Sequence, residues 1–195
     1  IHNLNVGRVI ARPFVGSIDE GWKRTKNRRD YAMMPPRSVL IDWVKASGGK
    51  TYAIGKIGDI FSMRNIDHNF TGSDLDLMAQ LQKQIESAED GSLTFANFVE
   101  FDSLFGHRRD PTGYAKALEW FDKEIVSVVK NLLEDDLLII TADHGNDPTW
   151  SGTDHTREQV PVLIKGKADF IQSGIEFRDV AKLASKHLGV AIPDP

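Results

Sequence analysis

The composition of this chain of 195 residues excludes several classes of protein before any motif is considered. Its 41% hydrophobic content is enough for the core of one domain or slightly more, and its net charge of −4 gives no support to a nucleic-acid-binding role. The absence of cysteine excludes disulfides and thiolate metal ligands and fits a reducing, cytoplasmic compartment. No apolar run approaches the roughly 20 residues that cross a bilayer, and no signal peptide is recognisable.

The chain opens with Ile1 rather than methionine, and residues 6–13 already alternate as a strand does. Pro13 confines this strand to a sheet edge or ends it. Because a strand-like segment stands so close to the first residue, we expect the sequence to be a piece of a longer protein.

A basic stretch, KRTKNRRD, covers residues 23–30. A run of charge is most often a solvated loop, and that interpretation is favoured here. The alternative is an anion site, because the guanidinium fork of arginine suits phosphate.

The pair Pro35-Pro36 marks a predicted boundary between two domains. Beyond it, helical and strand patterns alternate. We predict helices over residues 38–46, 74–87, 112–133 and 176–188, strands over residues 51–54, 93–99, 137–140 and 160–164, and loops over residues 55–61 and 102–110. Strands joined by helices of this length predict an α/β fold with a mostly parallel sheet that helices cover on both faces.

Helical spacing also assigns side chains to the core. Ser38 is expected to cap the first helix. The buried stripes of the second and third helices are predicted to be Leu75, Leu77, Met78, Leu81 and Ile85, and Tyr114, Leu118, Phe121, Ile125, Val128, Val129 and Leu132.

Carboxylate and imidazole groups follow the ends of the predicted strands. Asp102 closes one strand and His107 lies five residues on, Asp143 and His144 close another, and His155 lies in the next loop. Ligands bind at strand ends in open α/β sheets, and borderline divalent metals such as zinc or manganese prefer these groups. The alternative, scattered polar loop residues, explains the coincidence of three such loops less well.

The number of these ligands predicts two metal ions rather than one. Five side chains with oxygen and nitrogen donors exceed what a single tetrahedral zinc with an open position uses. Divided between two ions about 3.5 to 4 Å apart, they would make the clamp that is used for in-line phosphoryl displacement.

Six segments of the chain resemble bacterial phosphopentomutases, a family of the alkaline phosphatase superfamily: GRVIARPF, RTKNRRDYAMMPP, AIGKIGDIF, FVEFDSLFGHRRDPTGYAKALEWFD, LLIITADHGNDPT and GTDHTREQVPVLI. The likeness extends from about Val6 to the last helix. The TADHG segment is shared with cofactor-independent phosphoglycerate mutases and therefore specifies the superfamily only. FDSLFGHRRD, GTDHTRE and the RVIARPF segment are the specific part.

The resemblance implies a fold and a role for individual residues. Residues 1–33 would be the C-terminal end of a smaller α+β cap domain, and residues 34–195 the C-terminal part of an alkaline-phosphatase-like, metal-binding core. Asp102, His107 and His155 match the ligands of one divalent ion, for which Mn²⁺ is implied first and Mg²⁺ second, and Asp143 and His144 match two ligands of the other. Lys56 matches a lysine that faces the active site, and Arg8 resembles a cap arginine that contacts the substrate phosphate.

The implied reaction interconverts (deoxy)ribose 1-phosphate and (deoxy)ribose 5-phosphate through a phosphoenzyme and a bisphosphate. Relatives carry a phosphorylated threonine and a further metal-binding aspartate in segments that do not match any residues of this chain, so both are expected upstream of Ile1. Alone, the chain is expected to lack mutase activity. The alternatives are a phosphoglycerate mutase, another metal-dependent phosphohydrolase of the superfamily, or an inactive metal-binding fragment.

Overall fold

A computed structural model describes residues 6–25, 27–166 and 175–193 of the chain. Both ends of the sequence, residue Lys26 of the basic stretch and residues 167–174 lie outside the described residues. No helix in the described ranges is long and apolar enough to cross a membrane.

The described residues before Pro35-Pro36 form four short strands: β1 (Arg8–Ala11), β2 (Phe14–Ser17), β3 (Gly21–Arg24) and β4 (Arg29–Ala32). β1 pairs antiparallel with β4, and β2 pairs antiparallel with β3. The predicted first strand is present and ends before Pro13. The prediction of a loop over residues 23–30 is wrong at both ends. Lys23 and Arg24 lie in β3 and pair with β2, and Arg29 and Asp30 lie in β4 and pair with β1.

The second segment contains a parallel three-stranded sheet in the order β6-β5-β7, made of β5 (Thr51–Ile54), β6 (His68–Phe70) and β7 (Leu93–Ala96). All four residues of the central strand β5 are buried, as expected for the middle of a covered parallel sheet. The sequence pattern missed β6, whose three residues are too few to show a period. The predicted loop at residues 55–61 contains a short helix, α2 (Ile57–Ile60).

Four longer helices accompany this sheet: α1 (Leu40–Ala46), α3 (Asp74–Ser87), α4 (Pro111–Asn131) and α5 (Phe177–Leu188). Ser73 caps α3 by accepting a hydrogen bond from the Asp76 amide, and Asp110 caps α4 by accepting one from the Gly113 amide. Ser38 is not the cap of α1: the N-cap is Val39, and the Ser38 hydroxyl instead accepts a hydrogen bond from the Trp43 indole.

The main core lies between β5, α3 and α4 and is built from Ile54, Leu77, Met78, Leu81, Ile125 and Val128. Two predicted core residues are exposed, Leu75 by 66% and Leu118 by 51%. Leu75 lies two positions from Leu77, or about 200° around the helix axis, and therefore faces away from the sheet. On α4 it is Ala117 that is half-buried in place of Leu118.

The buried position at the start of α3 is taken by a carboxylate. Asp74 is 4% exposed and accepts hydrogen bonds from the amides of Val99 and Glu100. Burial raises the pKa of Asp74 to about 6, and the two amide hydrogen bonds oppose that rise. Asp74 thereby fixes the backbone that leads out of β7 toward Asp102.

The remaining strands, β8 (Leu138–Thr141) and β9 (Val162–Lys165), pair antiparallel with each other. The parallel arrangement that was predicted for strands joined by helices does not extend to this pair. No helix lies between these two strands; residues 142–161 form a loop that returns the chain directly, and strands joined in this way run antiparallel. This loop carries three of the predicted metal ligands.

Candidate metal centre

A π-helix, Phe101–Gly106, replaces the loop that was predicted after β7. The amide of His107 donates to the carbonyl of Asp102 at 2.9 Å, and the amide of Asp110 donates to that of Phe105 at 3.0 Å. Both bonds span five residues, which defines this wide turn and is common at functional sites. The turn brings His107 Nε2 within 3.2 Å of Asp102 Oδ2.

The loop after β8 folds back on itself beside the π-helix. A bridge between Gly145 and Thr156 holds its two arms together. This places His155 Nε2 3.4 Å from Asp102 Oδ1. Ligand atoms of Asp102, His107 and His155 all lie within 4.8 Å of one another, close enough to share one ion.

The three predicted histidine ligands form a column of stacked rings. The His155 ring centre lies 4.8 Å from that of His107 and 3.7 Å from that of His144. Asp143 lies at the outer edge, 72% exposed at its side chain, with Oδ1 3.6 Å from His144 Nε2. The structure thus unites Asp102, His107 and His155 in one group, with the Asp143–His144 pair beside it.

The hydrogen bonds of the imidazoles fit a metal-binding role. Nδ1 of His107 lies 2.5 Å from the carbonyl of Thr153, and Nδ1 of His144 lies 3.2 Å from the carbonyl of Gly145. Because a carbonyl only accepts, each of these contacts favours the tautomer with its proton on Nδ1, in which the Nε2 lone pair can bind a metal. Ring nitrogens fixed in this way are typical of histidines that bind a metal, and one carboxylate with two imidazoles suits a borderline divalent ion.

Two neighbouring side chains that sequence reasoning missed complete the site. Asn146 donates to Asp102 Oδ1 through its Nδ2 at 2.6 Å, and Arg109 donates to Asn146 Oδ1 at 2.6 Å. Each lies two residues after a predicted ligand, His144 or His107, and that proximity was the available signal.

Lys56 follows β5 by two residues, at the same edge of the parallel sheet from which the chain leaves β7 toward Asp102. Its Nζ lies 3.4 Å from Asp59 Oδ2, a weak and partly exposed ion pair. The position agrees with a lysine at the strand ends, where ligands of α/β sheets bind.

Arg8 is engaged within the N-terminal segment. Its guanidinium and that of Arg28 both pair with the carboxylate of Asp30. The hydrogen bond from Arg28, followed by that from Arg8, holds the pKa of Asp30 well below its usual range. Nearby, a surface hollow is lined by Arg12, Pro13, Arg24, Thr25 and Arg28, so the anion-site alternative for the basic stretch stays open.

Comparison with known proteins assigns the chain to a family. The family description "Metalloenzyme superfamily" matches residues 1–192. The chain belongs to the metalloenzyme superfamily. Within the superfamily it is 46% identical over 196 residues to the phosphopentomutase of Rhizobium meliloti (strain 1021), covering 98% of this chain and 48% of that protein.

The phosphopentomutase of Chromohalobacter salexigens is 53% identical over 163 residues, covering 83% of this chain and 39% of that protein. The chain therefore spans about half the length, or less, of the curated relatives it matches. The resemblance to phosphopentomutases that six sequence segments indicated is confirmed.

A solved structure of a 2-O GAG sulfatase superposes with a TM-score of 0.58 at 14% identity, covering 82% of this chain and 54% of the sulfatase. At that identity the likeness concerns the fold alone. With the superfamily match, it confirms the predicted alkaline-phosphatase-like α/β fold.

Proposed function

We propose that the full-length protein is a phosphopentomutase, an isomerase that interconverts (deoxy)ribose 1-phosphate and (deoxy)ribose 5-phosphate through a phosphoenzyme and a bisphosphate. The observation that carries the proposal is the group of Asp102, His107 and His155, which the π-helix and the loop after β8 contribute and whose ligand atoms lie within 4.8 Å of one another. It occurs in a chain that is 46% identical to a phosphopentomutase over nearly its whole length.

Two divalent ions belong to this proposal, with Mn²⁺ first and Mg²⁺ second. Asp102, His107 and His155 would hold one, and Asp143 and His144 would contribute to the other, completed by the rest of the protein. When bound, the pair supplies positive charge that stabilises a transferring phosphoryl group. The stacking of His144 on His155 supports two adjacent ions, because it puts the two ligand sets side by side.

The remaining roles follow the same scheme. Residues 1–33 are proposed as the end of a cap that excludes water from the phosphoenzyme, and residues 34–195 as the metal-binding core. Arg8 is proposed to contact a substrate phosphate, which requires it to exchange its partner Asp30 for the substrate. The phosphorylated threonine is proposed to lie in the part of the protein that this chain does not cover. A cytoplasmic location is also proposed, and the cysteine-free composition supports it.

A substrate comparison tests the function. The full-length protein, loaded with Mn²⁺, is expected to convert ribose 5-phosphate to ribose 1-phosphate and to act far more slowly on 3-phosphoglycerate and p-nitrophenyl phosphate. Preference for 3-phosphoglycerate would make it a phosphoglycerate mutase, and release of phosphate from the generic ester without isomerisation would make it a phosphohydrolase. Either result would overturn the proposal.

A second test concerns Lys56. In the full-length protein Lys56→Ala is expected to lower turnover of ribose 5-phosphate by about 100-fold or more, because one cationic partner of the reacting phosphate is lost from a preorganised site. Lys83→Ala on the exposed face of α3 is the matched control and should keep the wild-type rate. A wild-type rate for Lys56→Ala, with the melting temperature unchanged, would remove Lys56 from the site.

A further inference from the structure

One side chain connects the three backbone segments that carry the predicted ligands. The guanidinium of Arg109 donates from Nε to the carbonyl of Gly152 at 2.5 Å and from NH2 to that of Asp154 at 2.6 Å. Its NH1 lies within hydrogen-bond distance of three oxygens, those of the Gly106 carbonyl, the Asn146 side chain and the Asp147 carbonyl, at 3.1, 2.6 and 2.8 Å.

The segments that Arg109 contacts are those that present the ligands. Gly106 immediately precedes His107, and Asp154 immediately precedes His155. Asn146, held by Arg109, in turn donates to the carboxylate of Asp102 at 2.6 Å. The guanidinium of Arg109 therefore influences the position of all three members of the metal-binding group without contacting the side chain of any of them.

The local backbone is shaped to allow this contact. Arg109 has a φ of +53°, in the left-handed region that non-glycine residues rarely adopt. The π-helix also passes very close to the loop after β8, since a Cβ on Gly106 would lie 2.5 Å from Asn146 Nδ2. The turn that ends the π-helix requires the left-handed conformation of Arg109, because the Asp110 amide donates to the Phe105 carbonyl and the Arg109 amide donates to the Gly106 carbonyl.

We propose that Arg109 is a positioning residue that sets the divalent-metal affinity of the group formed by Asp102, His107 and His155. The inference rests on the proposed metal site but not on the identity of the substrate. A planar fork with donors on three nitrogens reaches oxygens in several directions at once, which a single ammonium group does not do. Outer partners that orient metal ligands commonly change metal affinity by about 10- to 100-fold when they are removed.

The direction in which Mn²⁺ affinity changes when Arg109 is removed distinguishes a positioning role from an effect of its positive charge. Arg109 is a cation close to a cation site, so on charge alone its removal would strengthen Mn²⁺ binding. Positioning has the opposite consequence, because ligands that are free to move pay the cost of ordering when the ion binds. The adjacent Arg108 is an exposed arginine on the same turn and provides a matched control for the loss of one positive charge.

The experiment measures Mn²⁺ affinity by calorimetry, and site symmetry by electron paramagnetic resonance, in the full-length protein and its variants. Arg109→Ala is expected to weaken binding by about 10- to 100-fold, and Arg108→Ala to leave it unchanged or slightly tighter. Arg109→Lys, which keeps the charge but not the fork, is expected to stay at least about 10-fold weaker than wild type. Wild-type affinity in Arg109→Ala, or full rescue by Arg109→Lys, would overturn the proposal.

A second variant keeps the test decisive if Arg109→Ala does not fold. Asn146→Ala removes only the link from Arg109 to Asp102, and it is expected to weaken Mn²⁺ binding by about 10-fold with an unchanged melting temperature of the metal-free protein. Unchanged affinity in this variant contradicts the proposal. Because Mn²⁺ binding is measured without substrate, a negative mutase assay does not affect this test. A wild-type protein that binds no divalent ion would contradict both the proposed metal site and this inference.

Discussion

Replacing Asp102 with alanine in the full-length protein is expected to lower its divalent-metal content by about one ion per chain and its turnover by about 100-fold or more. Asp102 has the largest expected effect because its two carboxylate oxygens face both His107 and His155, at 3.2 and 3.4 Å. No other carboxylate in the described group can replace it. The same loss is expected for His155→Ala, since that ring lies between the other two.

Metal analysis after dialysis against Mn²⁺ checks this expectation. The matched control is His187→Ala, which removes an imidazole from the last turn of α5 and should leave metal content and turnover unchanged. Full metal content in Asp102→Ala would show that the ion binds elsewhere, and the assignment of the triad would then be wrong.

The second large effect concerns stability. Leu77→Ala is expected to lower the free energy of unfolding by about 2 to 5 kcal/mol, because it removes a buried side chain and leaves a cavity between β5, α3 and α4. Leu77 is 2% exposed and packs with Ile54, Met78 and Val128 in the main core. Thermal or denaturant unfolding of the purified variant measures the change.

The control lies on the same helix. Leu75→Ala makes the same chemical change two residues earlier, where the side chain is 66% exposed, and it is expected to change the unfolding free energy by no more than about 0.5 kcal/mol. Equal losses for the two variants would mean that Leu75 is buried in the full-length protein and that this face of α3 is an internal contact.

The helices were predicted well because their signals are local. Helix α3 begins and ends where the spacing predicted, and α4 and α5 begin and end within one or two residues of the prediction. Which leucines of a stripe are buried was predicted less well. At the start of α3 the buried side chain is that of Asp74 rather than Leu75, and its carboxylate accepts hydrogen bonds from amides 25 and 26 residues further along the chain. A periodic pattern carries no information about such distant partners.

The candidate site divides in the same way. Its candidate ligands were predicted from residue type and from their position after predicted strands, which are properties of short segments. The π-helix that turns His107 toward Asp102 was not found, and neither were Asn146 and Arg109, which connect the loops. Asn and Arg are ordinary loop residues until the segments they bond are known to be adjacent.

The sequence alone therefore determined the α/β class, the helices, the family resemblance and the five candidate ligands, because each of these depends on periodicity or on residue types at short spacing. Only the tertiary structure decided that Asp102, His107 and His155 form one group, that β8 and β9 run antiparallel, and that Arg109 bonds three separate segments. These features depend on hydrogen bonds and contacts between residues far apart in the chain, and such pairings form only when the fold brings the segments together.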